Sequence, residues 1–391
     1  MRWLPLGLLT VAGAVACSGC GSTTAPGTSL PRVAASSSSP AAPALTDSRA
    51  TNQATWAVLP MGAPSGANRF WQLFVQTTDR QKWTLDTPPD IATNGAIAVG
   101  GVSGTSLIAG IRPSLDLDFS PVSLTSDAGQ HWTAGPPAAG LAGVPDALAA
   151  NPSGSRLLAI SSSGQVSTAS SGGTGWTPLI TQRSLAATAP GRSCGLAQLT
   201  AVSFTPAAVP LTGARCRRPG VAGIFALAGG TWHAAGPALP PALTAYQVRV
   251  LRLVTGSSGT MALLQADRGS RTEVAAALLD KRGSWTLSPV LGVAGSAVLT
   301  TAFGSSGAVA VVLSGESGAR AEILAGPGGS WRQTPPLPAG RAVTIALPAG
   351  GPVEALAATG GTLTVWRLSS SGDSWTKLQT IRVPIQYGSS H

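Results

Sequence analysis

The 391-residue sequence is 43% hydrophobic and only 10% charged, with 49 Gly, 31 Pro and a formal net charge of +10. That is too apolar for a disordered chain and too rich in turn residues for helical repeats. Beyond about 250–300 residues a single core stops growing, so such a chain divides into domains or repeats one unit.

At the N-terminus, Arg2 precedes the apolar run Leu4–Ala16. This run is shorter than the roughly 20 residues that span a bilayer, and its charged start and apolar middle are those of an export signal. It ends Gly13-Ala14-Val15-Ala16-Cys17-Ser18-Gly19-Cys20-Gly21-Ser22, which resembles a bacterial lipoprotein lipobox. The resemblance implies a signal peptide over 1–16, a lipid on a cysteine thiol, and a place on the extracytoplasmic face of the cell membrane. Cys17 is the favoured site and Cys20 the alternative; an ordinary cleaved signal peptide is the competing reading. Residues 17–53 are rich in Ser, Ala, Thr and Pro, as in Ser36-Ser37-Ser38-Ser39-Pro40. They hold little bulky apolar material and are expected to form a flexible tether with a reach of about 30 Å.

Residues 54–391 change character. Short apolar runs alternate with Gly, Ser and Pro, among them Ala96-Ile97-Ala98-Val99, Ser106–Ile111, Ala308–Leu313 and Leu363–Trp366. Runs of four to six residues rich in Val and Ile predict buried strands. No segment holds a 3.6-residue period long enough to predict a helix. Trp83, Trp132, Trp176, Trp232, Trp285, Trp331 and Trp375 recur at intervals of 49, 44, 56, 53, 46 and 44 residues. Each follows a polar or Gly-rich turn. A period of about 40–50 residues with several short strands per unit predicts a propeller, here all-β, with seven blades of four antiparallel strands. In the sixth unit the strands are predicted at 296–302, 307–313 and 320–324, with a fourth from Trp331.

The turn before Trp132 is the fullest: Thr125-Ser126-Asp127-Ala128-Gly129-Gln130-His131-Trp132. Thr and Asp side chains can bond backbone N–H groups, and Gly takes the φ > 0 position that closes the turn. As [Ser/Thr]-x-Asp-x-Gly-x-x-Trp, with Thr125, Asp127, Gly129 and Trp132 in its fixed places, it resembles the Asp-box, or BNR repeat, of sialidase-like β-propellers. The other copies are degenerate: Thr77–Trp83 lacks Gly, and Leu368–Trp375 displaces Asp. The resemblance implies that the box lies on the blade periphery, away from the functional face.

Chemistry is sparse. Cys194 and Cys216, outside the cytosol, are expected to form a disulfide, with two buried free thiols the alternative. With three His and no Cys-x-x-Cys beyond Cys17 and Cys20, neither a metal site nor a cofactor is expected. The resemblance would imply a sialidase arginine triad, a Tyr nucleophile and an Asp acid. Only Asn68-Arg69-Phe70-Trp71 stands where the first-blade motif belongs, and the only tyrosines are Tyr246 and Tyr387. Asp116 and Asp118 share one strand face and could be an acid pair, a cation site or a solvated edge. His131, His233 and His391 have no motif partner for triad chemistry. Between Asp146 and Asp267 there is no acidic residue, and Arg215, Arg217 and Arg218 cluster beside Cys216. A one-signed field attracts anions, so these three are candidate anion-binding residues; neutral drift in composition is the alternative. The expectation is a monomeric, non-catalytic envelope lipoprotein that binds or scaffolds a protein or glycan, with no nucleic-acid partner. A divergent sialidase-like glycoside hydrolase is the alternative.

Overall fold

The computed structural model describes residues 46–62, 69–89, 95–101, 103–112, 119–293, 296–314, 318–340 and 342–384. No helix among them is long and apolar enough to cross a membrane. Seven antiparallel four-stranded units follow one another along the chain. Their innermost strands, blades 1 to 7, are Thr46–Ala50, Ile97–Gly101, Leu148–Ala150, Leu196–Phe204, Gln247–Gly256, Val298–Phe303 and Ala342–Ala346. Their outermost strands are Trp83–Leu85, Thr133–Ala134, Thr177–Thr181, Thr231–Ala234, Trp285–Leu287, Trp331–Gln333 and Trp375–Arg382. The predicted sixth unit is observed at Val298–Phe303, Val309–Leu313, Arg320–Leu324 and Trp331–Gln333.

A twisted blade has two apolar faces, and its neighbours cover them. Seven buried apolar clusters lie among the described residues, one between each pair of neighbouring blades. The last of these closes the ring: Ala57, Leu59, Phe74 and Trp83 of blade 1 pack on Leu356, Leu363, Val365 and Val383 of blade 7. No strand is exchanged there, because blade 1 comes wholly from the start of the described chain and blade 7 wholly from its end. Polar bonds reinforce the seam. The Gln379 side chain accepts from Trp83 N at 3.0 Å and donates to Trp83 O at 2.9 Å. Trp83 Nε1 and Gln76 Nε2 both donate to the buried carboxylate of Glu354, at 2.7 and 3.2 Å.

The repeating tryptophans act across the blade boundaries. Trp132 Nε1 donates to Asp86 O, Trp176 to Pro136 O, Trp285 to Ala235 O and Trp331 to Pro289 O, at 2.7–3.1 Å. Each acceptor lies just past the outermost strand of the preceding blade. Trp375 makes the same contact with Pro335 O at 3.4 Å. An indole placed there buries apolar area and satisfies its one donor at once, which is why Trp recurs once per blade. Trp232 departs from the pattern. Two short helices, Gln182–Ala186 and Ala189–Cys194, replace the preceding loop, and Trp232 packs in the same cluster as Leu185, Cys194 and Cys216. These helices are shorter than any window in which a helical period can be read. Thr181 and Thr188 cap them, and Gly191 lets them cross, since a Cβ there would stand 1.9 Å from the Leu185 carbonyl oxygen.

The expected tether boundary at residue 53 is corrected. Thr46–Ala50 is a strand that pairs antiparallel with Ala54–Gly62 and parallel with Val298–Phe303 of blade 6. It thus sits where inner strands converge. Its polar composition disguised it: Asp47, Ser48 and Arg49 are 4%, 0% and 8% exposed, and Asp47 and Arg49 are held there by partners on blade 5. The signal-peptide and lipidation candidates, Cys17 and Cys20, lie outside the described residues, as do Asp116, Asp118, Tyr387 and His391.

Candidate functional site

All innermost strands run in the same direction in this architecture, so the ring has two unlike ends. Inner strands begin at one, called here the entry end, and hairpins joining first to second strands lie at the other, the far end. Between them, on the axis, is a charged hub. Arg252 of blade 5 is fully buried. Its Nη1 and Nη2 both donate to Asp47 of blade 1, the Nη2 bond being 2.7 Å. Nε and Nη2 donate to Asp146, which precedes the inner strand of blade 3, at 2.8 and 2.9 Å. Nη1 also reaches Thr301 Oγ1 of blade 6 at 2.7 Å, and Leu253 N donates to Asp146 at 2.8 Å. One guanidinium thereby ties four blades together, and its Cζ lies 5.2 Å from the Phe303 ring centroid.

The electrostatics follow from burial. Desolvation raises the Asp47 carboxyl to about 7 despite Arg252. Burial alone would lower Arg252, but Asp146 and Asp47 outweigh it and hold its pKa above the ordinary value. Arg49, also buried, is lowered to about 10 by desolvation, opposed by Asp146 and Asp47. Arg49 Nη2 donates to Thr255 O, beneath the mouth of the axis at the far end. That mouth is a cavity of about 190 Å³ lined by Arg49, Thr51, Asn52, Ser103, Ser257 and Ser305 among others. Hydroxyls, an amide and one cation suit a polar or anionic group of a few heavy atoms.

The sequence pointed elsewhere for its candidates. In the turn Thr125–Trp132, Thr125 Oγ1 donates to Asp127 at 2.7 Å and accepts from Gly129 N at 3.0 Å. Asp127 also accepts from His131 N at 2.9 Å, and these donors, the His131 N–H foremost, hold its carboxyl well below the usual range. Gly129 has φ +94°, and a Cβ there would meet Asp86 Cβ at 2.6 Å. The turn sits at the blade rim, remote in the fold from the axis. A second copy escaped the sequence reading: Asp280 stands five residues before Trp285, as Asp127 does before Trp132, and accepts from Ser284 N at 2.9 Å. Neighbours at the other positions hid it, because Leu278 and Arg282 replace Thr and Gly.

Cys194 and Cys216 form a disulfide, with Cα atoms 5.0 Å apart. It pins the second helix to blade 4. Arg215, Arg217 and Arg218 flank it, all exposed, at the entry end and away from the hub. Tyr246 is buried, and His233 is exposed on an outer strand. Among the described residues no three His, Cys, Asp or Glu side chains are grouped to hold a metal. Asp47, Arg49 and Arg252 were missed as a site, although Arg252 interrupts Val250-Leu251-Arg252-Leu253-Val254. A lone charge within an apolar strand signals a buried partner.

No protein-family model matches the sequence, and no curated protein matches it. Solved structures do. A putative 6-phosphogluconolactonase of Bacteroides uniformis matches with TM-score 0.55 and 13% identity over 86% of this chain and 98% of its own. The periplasmic gluconolactonase PpgL of Pseudomonas aeruginosa gives 0.53 and 12%, over 84% and 96%. A Lactobacillus plantarum protein gives 0.52 and 12%, over 85% and 97%. At such identities the likeness establishes the fold, a β-propeller, and nothing about activity.

Proposed function

We propose that this chain is a lipid-anchored, non-catalytic propeller of the Asp-box kind, tethered through Cys17, or alternatively Cys20, on the outer face of a bacterial cell membrane. In this reading it binds a protein or glycan partner. One observation carries the non-catalytic reading: the two carboxylates that converge on the axis, Asp47 and Asp146, are both consumed by Arg252 and buried. A hydrolase of the two-carboxylate kind needs acids that reach the scissile bond, and the accessible far-end mouth is lined by hydroxyls, Asn52 and Arg49 instead. A polar terminus of a glycan, or a polar side chain of a protein, suits that mouth.

The test pairs binding with turnover. Envelope glycans are titrated against the protein and its Asn52→Ala, Ser257→Ala variant while release of reducing ends is followed. Binding without release, weakened by the variant, supports the reading. Multiple turnovers abolished by Asp146→Asn in a folded protein would make the hydrolase alternative correct. Anchoring is tested separately: once a carbonate wash has stripped peripheral proteins, normally processed Cys17→Ala with Cys20→Ala should be absent from the membrane fraction, because acyl chains would supply the hold. Retention after a carbonate wash would sink the lipid anchor.

A further inference from the structure

Six exposed arginines of blades 4 and 5 gather at one end of the ring. Arg215, Arg217 and Arg218 close the second strand of blade 4 and enter the following turn, Arg192 lies on the helix bonded to them by the disulfide, and Arg268 and Arg271 flank the corresponding hairpin of blade 5. All six side chains are exposed, and among the described residues none has a carboxylate within salt-bridge distance. The register confirms that they share an end: Arg215 pairs antiparallel with Arg249, near the start of the inner strand of blade 5. Two acids lie on the blade 5 hairpin: Asp267 is taken up by Gln265 and Thr272, and Glu273 is half-buried with none of these arginines within salt-bridge distance. The far end is mixed in sign, with Asp79 beside Arg80 and Asp280 beside Lys281 and Arg282.

The described chain also begins at the entry end, because Thr46 opens the inner strand of blade 1, parallel to that of blade 6. Only 28 residues separate Thr46 from Cys17; a flexible chain of that length reaches about 30 Å. We propose that the arginine face at the entry end is a membrane-facing surface that binds anionic phospholipid headgroups. Its orientation rests on the lipid-anchor reading; its charge does not. Guanidinium groups bind phosphates through paired N–H donors, and a basic patch together with a lipid makes a two-signal anchor. Docked this way, the ring turns its far-end mouth, with Arg49 and Asn52, away from the membrane and toward the partner.

The experiment uses the chain with Cys17→Ser and Cys20→Ser, which cannot be lipidated, so its outcome is independent of the anchor. It is sedimented with phosphatidylglycerol–phosphatidylcholine vesicles and with pure phosphatidylcholine vesicles. Binding to the anionic vesicles alone is expected, falling about tenfold as salt shortens the screening length from roughly 14 to 6 Å. Arg215→Gln, Arg217→Gln, Arg218→Gln together should weaken it about 100-fold, at about fivefold per arginine near an anionic surface. Lys281→Gln with Arg282→Gln at the far end should leave it unchanged. Equal binding to both vesicle types, or no effect of the triple variant, overturns the proposal. So does binding of soluble poly(glycerol phosphate) through the same arginines with no binding to vesicles, which would make the face a polymer site.

Discussion

Replacing Arg252 by Met tests whether the axial hub holds the ring together. Methionine fills much of the volume of the arginine stem, so the change removes charge and donors while opening little cavity. Four hydrogen bonds to Asp47 and Asp146 and one to Thr301 disappear, together with the contact over Phe303. Adding these bonds at about 1.5–3 kcal/mol each would overshoot, because water competes for every group in the unfolded chain. The better measure is the cost of stranding buried charge, about 3–5 kcal/mol when one partner of a buried pair is removed. Two stranded carboxylates place Arg252→Met at the upper part of that range at pH 8. At pH 5 Asp47, raised to about 7 by burial, can bind a proton, so the loss should shrink by at least about 1 kcal/mol. Urea unfolding followed by Trp fluorescence at the two pH values measures both. Adding Asp47→Asn and Asp146→Asn should restore at least half the loss, since a neutral, bonded cluster replaces an ionic one. A cost below about 1 kcal/mol, or the same cost at both pH values, would refute the hub as a structural element.

Asp47 gives a pH signature in the unaltered protein. Its folded pKa of about 7 lies above the ordinary 3.8, so its contribution is fully present below about pH 4 and is lost as pH rises through 7. Asp47→Asn should flatten the stability profile between those values. Trp132→Ala should cost about 3 kcal/mol, the low end for a core aromatic because the indole is half-buried. Asp127→Ala should cost less, since it removes turn bonds without opening a cavity, and paired urea melts decide the order. Deleting residues after Arg367 removes Trp375–Arg382, and with it Gln379 and part of the cover over the blade 1–7 seam. A calorimetric scan should then lack the cooperative transition; an undiminished one would mean that the blades stand without closure.

What could be read from the sequence was what the ring repeats. Five blades use the indole latch in the same place relative to the outer strand, and Trp83 and Trp232 stand at the same outer-strand position in the other two, so Trp83 to Trp375 mark the blades even where the rest of the turn has drifted. Apolar second strands such as Val309–Leu313 are legible for a similar reason: burial between two neighbours leaves no polar alternation. The hub obeys the opposite logic. Asp47, Asp146, Arg252 and Thr301 come from four different blades at positions that no other blade repeats, so no period exposes them. The charges that mark Thr46–Ala50 as polar are the ones whose pairing puts it in the centre of the fold. Asp146 and Arg252 were visible only as one edge and one member of an acid-free stretch. That stretch serves two ends in three dimensions: Arg252 goes inward to balance the axial carboxylates, while Arg215, Arg217 and Arg218 go outward at the entry end. Composition alone merges the two; burial separates them, Arg252 lying inside the buried run of Gln247–Gly256 and Arg215 being the exposed residue of Pro210–Cys216.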